Sequence, residues 1–161
     1  MAFNILALQI TTMRITIVFI IVTFIFCGCS TKKLTHKVDY LNPPGVNTKA
    51  YSAAVRVDNL LYLSGSIGVN PQDGKLVSGG VEAETKQVFE NIKNILQQNN
   101  SNLDQVIKCT VFLADIQDLA KINELYKSYF KVNLPVRSTV AGTGLPSGAR
   151  IEIDCIAVEL K

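Results

Sequence analysis

Histidine is almost absent from the chain, with one residue, His36, among 161. His36 lies in a polar stretch, residues 31–48, whose prolines and glycine predict a linker rather than a packed element. We therefore expect its side chain to be solvated. A Ser-His-Asp triad or a Cys-His pair within one chain is excluded on this ground.

Cysteine is also scarce, with four residues, and no two of them have the spacing of a metal site. No metal and no cofactor are expected. Cys109 and Cys155 each lie in an apolar run, where a cysteine behaves as a small buried hydrophobe. A disulfide between these two is open, because sequence supplies no geometry for it.

The chain has no strong excess of either charge. Its formal charge is +3, and removal of residues 1–28 takes away Arg14 and no acidic residue, which leaves +2. A nucleic-acid-binding protein needs basic residues clustered on one face, and the sequence has no such cluster. Nucleic acid is therefore not an expected partner.

One long apolar run stands near the N-terminus. Met13 and Arg14 precede the uncharged residues 15–26, and Cys27, Gly28 and Cys29 follow. This pattern predicts a secretory signal over residues 1–28, with Met13 as an alternative start, and the run is too short to span a bilayer well. Its end resembles a bacterial lipobox, cut after Gly28 with lipid on Cys29. An uncleaved anchor and an ordinary buried helix are the alternatives. We expect a cell-envelope protein facing the periplasm, with the lipid membrane as partner, a tether at 29–48 and a domain at 49–161.

Hydrophobic patterning in that domain predicts an α+β fold. Strands are expected at residues 51–57, 60–64 and 106–114, with a turn at Asp58 and Asn59 between the first two. Helices are expected at residues 81–98, with Glu84 on the outer side, and from a cap at Asp115 to Tyr129. With a final strand pair in residues 135–161, the order predicts a mixed sheet with two helices on one face.

The last stretch carries the candidate site. Arg137 and Thr139 alternate on one strand, and Glu152 lies on an alternating strand after a Gly- and Pro-rich turn. If these two strands pair, Arg137 and Glu152 lie at one end of the sheet. A guanidinium binds a planar carboxylate with two hydrogen bonds, and a nearby carboxylate can handle a proton or a water. The alternative is that both are solvated strand residues.

Four segments together resemble one family: YSAAVRVDNLLYLSG, GVEAETKQVFENIKNIL, VIKCTVFLADIQDLAKIN and LPVRSTV with LPSGARIEIDCIAV. The family is that of the Rid enamine/imine deaminases, also called endoribonuclease L-PSP or YjgF-like proteins. The resemblance implies a chorismate-mutase-like fold and a homotrimer with a cleft at each subunit interface. It also implies hydrolysis of reactive 2-imino acids to 2-oxo acids and ammonia.

The resemblance also assigns residue roles. Arg137 matches the arginine that binds the substrate carboxylate, and Glu152 matches the glutamate near the attacking water. Tyr51 and the corner at Ser64 and Gly65 match residues that line the cleft. The sequence departs from the family pattern at two places: Ala53 replaces a glutamine, and Thr139 replaces a common cysteine. Thr139 suffices if that position lines the cleft, but not if a covalent catalyst is needed.

Two other functions remain open. The same cleft in an exported trimer could bind small carboxylates without turning them over. A ribonuclease is implied by a family label alone, and no basic face, interleaved aromatics or catalytic histidine supports it.

Overall fold

A six-stranded sheet organises the described part of the chain. The computed structural model describes residues 35–42, 50–142 and 144–160. The strands are β1 (Val38–Leu41), β2 (Ala54–Val57), β3 (Leu60–Ile67), β4 (Val106–Leu113), β5 (Val136–Ala141) and β6 (Ile151–Val158). They lie in the order β1-β2-β3-β6-β4-β5, and every pair is antiparallel except β4 and β5, which are parallel. The α+β class and the mixed sheet are as predicted.

Strand β6 lies near the middle of the sheet and sets its two faces. Its alternating sequence buries Ile151, Ile153, Cys155 and Ala157 and leaves the residues between them half-buried. Because successive side chains of a strand point to opposite faces, the buried set marks the core face and the other set marks the opposite face. We call that second face, which carries Glu152, Asp154 and Ile156, the open face.

Two helices cover the core face, α1 (Gly80–Gln97) and α2 (Leu119–Tyr129). Helix α1 turns an apolar stripe inward that includes Val88, Phe89 and Ile92. Phe89 stacks on Tyr129 with ring centroids 4.3 Å apart and meets Tyr126 edge to face. Two helices on one side of the sheet were predicted, and the prediction is confirmed.

The segment between the apolar N-terminal run and the domain is not wholly a linker. Residues Val38–Leu41 form β1, which pairs antiparallel with β2. His36 is exposed, as predicted, and its Nδ1 lies 2.5 Å from Asp58 Oδ2. The linker prediction failed here because the polar sequence hides an edge strand of four residues, held by pairing rather than by burial.

Several predicted boundaries shift. Strand β2 begins at Ala54, so Tyr51 precedes it, and β3 extends to Ile67 through a bulge between Leu63 and Ser66. Asp115 caps a short 3-10 turn, Ile116–Asp118, by accepting a hydrogen bond from the backbone N–H of Gln117 at 2.9 Å, and α2 follows that turn.

Glu84 lies inside the fold, contrary to prediction. It is buried, and its Oε2 accepts a hydrogen bond from the backbone N–H of Arg150 at 2.8 Å. The backbone of Gly68 packs directly against it, because a side chain at Gly68 would meet the Glu84 Cα at 2.7 Å. Helical periodicity could not predict this burial, because the hydrogen-bond donor, Arg150, lies 66 residues further along the chain.

The final strand pair is also different from the prediction. Strands β5 and β6 do not pair with each other, because β4 lies between them. Helix α2 carries the chain back across the core face, which makes β5 parallel to β4 at the sheet edge.

Candidate functional site

Glu152 lies on the open face, over a corner of β3. A side chain at Gly65 would collide with the Glu152 Oε1, so the carboxylate occupies space that only a glycine leaves free. Gly65 belongs to the bulge of β3, where the pairing with β6 slips between Leu63 and Ser66. The bulge and the missing side chain therefore fix where this carboxylate lies.

The surroundings of Glu152 favour its protonated form. Partial burial raises the pKa of Glu152 above its usual value, and the carboxylate of Asp154, two residues along the same face, raises it further. A carboxyl group whose pKa moves toward neutrality can both accept and return a proton in a reaction.

Ser64 closes the corner beside Gly65. Its hydroxyl donates a hydrogen bond to the carbonyl of Ser52 at 2.7 Å, and its backbone N–H donates to the carbonyl of Ala53 at 3.0 Å. The backbone N–H of Ala53 in turn donates to the side chain of Asn42. Tyr51, next to Ser52, is 60% exposed. The structure thus brings the segment of Tyr51 to the corner formed by Ser64, Gly65 and Glu152.

Arg137 has a separate set of partners on the core face. One guanidinium nitrogen donates a hydrogen bond to Asn123 Oδ1 at 3.0 Å, and the guanidinium lies 4.7 Å above the ring of Tyr126. Both partners belong to α2. Arg137 is exposed because β5 is an edge strand, and Thr139, half-buried, shares its face. The guanidinium is therefore held by α2 while the residue stays exposed.

Arg137 and Glu152 are not brought together within one chain. On β4, Arg137 is the register partner of Cys109, whereas Glu152 is the partner of Phe112, on the other face. Two strand spacings and three residues separate them, which is roughly 14 Å between their backbones, with side chains on opposite faces. The expectation that these residues meet at one end of a sheet through a paired β5 and β6 is wrong for a single protomer.

The two α2 residues that hold Arg137, Asn123 and Tyr126, were not among the predicted site residues. The apolar residues at helical spacing in α2 are Leu119, Ile122, Leu125 and Tyr129, and of these the structure fully buries Ile122, together with Tyr126. The spacing of four between Ile122 and Tyr126 is itself a helical signal and could have found Tyr126. Nothing local marks Asn123 as a partner for a residue fourteen positions away.

The predicted signal, the lipobox and Cys29 lie outside the described residues. Among the residues that are described, no helix is both long and apolar enough to cross a membrane.

Comparison with known proteins identifies the family. Residues 44–159 match the model of the family described as Endoribonuclease L-PSP. A protein of Rattus norvegicus named 2-iminobutanoate/2-iminopropanoate deaminase is 49% identical over 110 residues, which cover 68% of this chain and 80% of that protein. The Homo sapiens protein of the same name is 48% identical, with the same coverage. The crystal structure of the yeast protein YEO7_yeast superimposes with a TM-score of 0.73 and 41% identity, covering 77% of this chain and all of that one. The chain belongs to the Endoribonuclease L-PSP family.

Proposed function

We propose that this protein is an imine deaminase that hydrolyses 2-imino acids to 2-oxo acids and ammonia. Its similarity to proteins named 2-iminobutanoate/2-iminopropanoate deaminase, at 45–49% identity over about 80% of their length, carries the proposal. The geometry supports it, because a carboxyl group of raised pKa and an exposed guanidinium are the two groups that such a hydrolysis needs.

In the proposed reaction, Arg137 binds the carboxylate of the imino acid through two parallel hydrogen bonds. Glu152 takes a proton from a water as the water's oxygen bonds to the imine carbon. Glu152 returns that proton to the nitrogen of the resulting amino alcohol. The carbon–nitrogen bond then breaks to release ammonia, and the hydroxyl oxygen becomes the carbonyl as its proton passes to the ammonia, which leaves as ammonium. A protonated imine is already electrophilic, so positioning and charge stabilisation are sufficient.

We propose that two copies of the chain complete each site, within a homotrimer. Arg137 and Glu152 lie on opposite faces of the sheet in one protomer, so one small substrate can reach both only if a second copy supplies one of them. The open face offers a surface for that contact. Cross-strand neighbours Tyr40, Val55, Tyr62 and Ile156 form an apolar row on it, and Tyr40 and Tyr62 are 74% and 42% exposed. A heterologous interface of this kind closes into a ring.

The role of Arg137 is tested by substitution. Arg137→Ala removes a charge-assisted contact worth about 2–3 kcal/mol, which predicts a roughly thirty- to hundredfold loss in kcat/KM for ammonia release from freshly generated 2-iminopropanoate. Arg137→Lys should fail largely as well, because an ammonium does not reproduce the planar fork. Thr139→Ala, on the same strand and face, is the matched control and should be much milder.

Wild-type kcat/KM in Arg137→Ala, with an unchanged circular dichroism spectrum, would contradict the site assignment. If the wild-type protein binds 2-oxo acids through Arg137 but releases no ammonia, the protein is a carboxylate binder, the second candidate function. This second candidate is favoured by two departures of this chain from the family pattern: Thr139 in place of a common cysteine and Ala53 in place of a glutamine.

We further propose that the protein is exported and anchored by lipid at Cys29, facing the periplasm. The uncharged run at residues 15–26 and the ending Cys27, Gly28 and Cys29 support this. Cys29→Ser should move the protein from the membrane fraction to soluble or unprocessed forms, as followed by fractionation and by intact mass. Unchanged membrane partition, with no lipid mass on the native protein, would refute the anchor.

A further inference from the structure

Two buried thiols face each other across the middle of the sheet. Cys109 on β4 and Cys155 on β6 are direct register partners in an antiparallel pair, and their sulfur atoms lie 3.1 Å apart. Both side chains are at most 1% exposed, and both are free thiols. Neither takes part in the proposed hydrolysis.

The backbone geometry at this pair suits a covalent bond between the sulfurs. Directly opposed residues of antiparallel strands have Cα atoms about 4.5–5.5 Å apart. Disulfides need a Cα separation of about 4.4–6.8 Å, so the strands need not move for Cys109 and Cys155 to be joined.

The two thiols are also chemically unequal. The two thiols share a hydrogen bond, which lowers the pKa of Cys109 against the effect of burial. The same hydrogen bond and burial raise the pKa of Cys155. Since the thiolate is the nucleophile, these directions favour Cys109 for the first attack and Cys155 for the resolving step.

We propose that Cys109 and Cys155 form a redox modification site, which a small peroxide converts into a cross-strand disulfide. The Cys109 thiolate attacks a peroxide oxygen, the O–O bond breaks, and hydroxide leaves with the sulfenic acid formed. The Cys155 thiol then attacks that sulfur and displaces its oxygen as water. In sum, two thiols and one hydrogen peroxide give one disulfide and two waters, so the two sulfurs are oxidised and the peroxide is reduced.

We expect the disulfide to raise the stability of the folded protein without changing its fold. It would close a loop between residues 46 apart in sequence, which restricts the unfolded chain. It would also join β4 to β6 in the centre of the sheet. Cys109 is the register partner of Arg137, whose guanidinium lies over the ring of Tyr126. We expect Tm to rise by roughly 5–10 °C in the oxidised protein.

Peptide mapping of the full chain, purified in mild detergent, tests the proposal. The protein is treated with hydrogen peroxide, the remaining thiols are alkylated, and the product is digested with trypsin. Cleavage after Lys108 and Arg150 places Cys109 and Cys155 on peptides 109–121 and 151–161, away from Cys27 and Cys29. The proposal predicts a linked 109–121/151–161 peptide, two hydrogen masses below the sum of its parts, that disappears on reduction.

The variants Cys155→Ala and Cys109→Ala are matched controls and should give no linked peptide and no rise in Tm on peroxide treatment. In Cys155→Ala, dimedone should label Cys109, because its sulfenic acid then has no resolving thiol. If wild-type Cys109 and Cys155 are both alkylated as free thiols after prolonged peroxide treatment, or if the linked peptide forms only in denaturant, the proposal is overturned.

Discussion

The carboxylate of Glu152 lies on the face of the sheet opposite the two helices, pressed against Gly65 and next to Asp154. Burial and the neighbouring negative charge both raise its pKa. Sequence alone could place Glu152 and Asp154 on one face through their alternation. It could not show the contact with Gly65, because that contact depends on a bulge in another strand.

The pH dependence of the reaction should follow from this pair. If Glu152 accepts a proton from water, its charged form is the active one, and the rate falls as pH drops through its raised pKa. Asp154→Asn removes the negative neighbour and lowers the pKa of Glu152, so the acidic limb of the kcat/KM profile should move to lower pH. The measurement is ammonia release between pH 4 and about 8. An acidic limb that stays in place, or moves to higher pH, would contradict the role of Glu152.

At the scale of elements, the sheet and helices follow largely from hydrophobic pattern. The helical stripe of α1 predicted that helix within about a residue of its observed bounds, and the alternation around Glu152 predicted the strand that is β6. The hydrophobic pattern gave wrong predictions where contacts with residues distant in sequence determine the structure. Strand β1 exists through its pairing with β2, and Glu84 is buried because Arg150 and Gly68 meet it there.

The corner of β3 offers a test of how one element positions another's side chain. Gly65→Ala would put a methyl group where the Glu152 carboxylate lies, so the carboxylate must move by an ångström or more. Displacements of that size typically cost about a hundredfold in rate, and we expect a fall in kcat/KM of that order. Gly144→Ala is the matched control, since a Cβ there meets nothing within 4 Å. Equal activity in the two variants, with both folded by circular dichroism, would show that Gly65 does not position Glu152.

At the scale of the whole molecule, the two halves of the candidate site point away from each other. Sequence resemblance implied both the residues and an intersubunit cleft, whereas the residue pattern alone suggested that Arg137 and Glu152 meet within one sheet. The position of β4 between β5 and β6 rules out the second expectation, because strand order depends on the path of α2 and not on local sequence. A site shared between protomers remains the arrangement under which both residues can act.

Subunit mixing tests this shared site most directly. Arg137→Ala and Glu152→Gln proteins, each nearly inactive alone, are unfolded together in equal amounts and refolded, with each variant refolded alone as control. If each site takes Arg137 from one protomer and Glu152 from its neighbour, random mixing leaves both residues intact at about a quarter of the interfaces of a closed ring. We therefore predict recovery of about a quarter of the ammonia-releasing activity of refolded wild-type protein. Mixed trimers, verified by native mass spectrometry, that show no more activity than the separate variants would contradict the account.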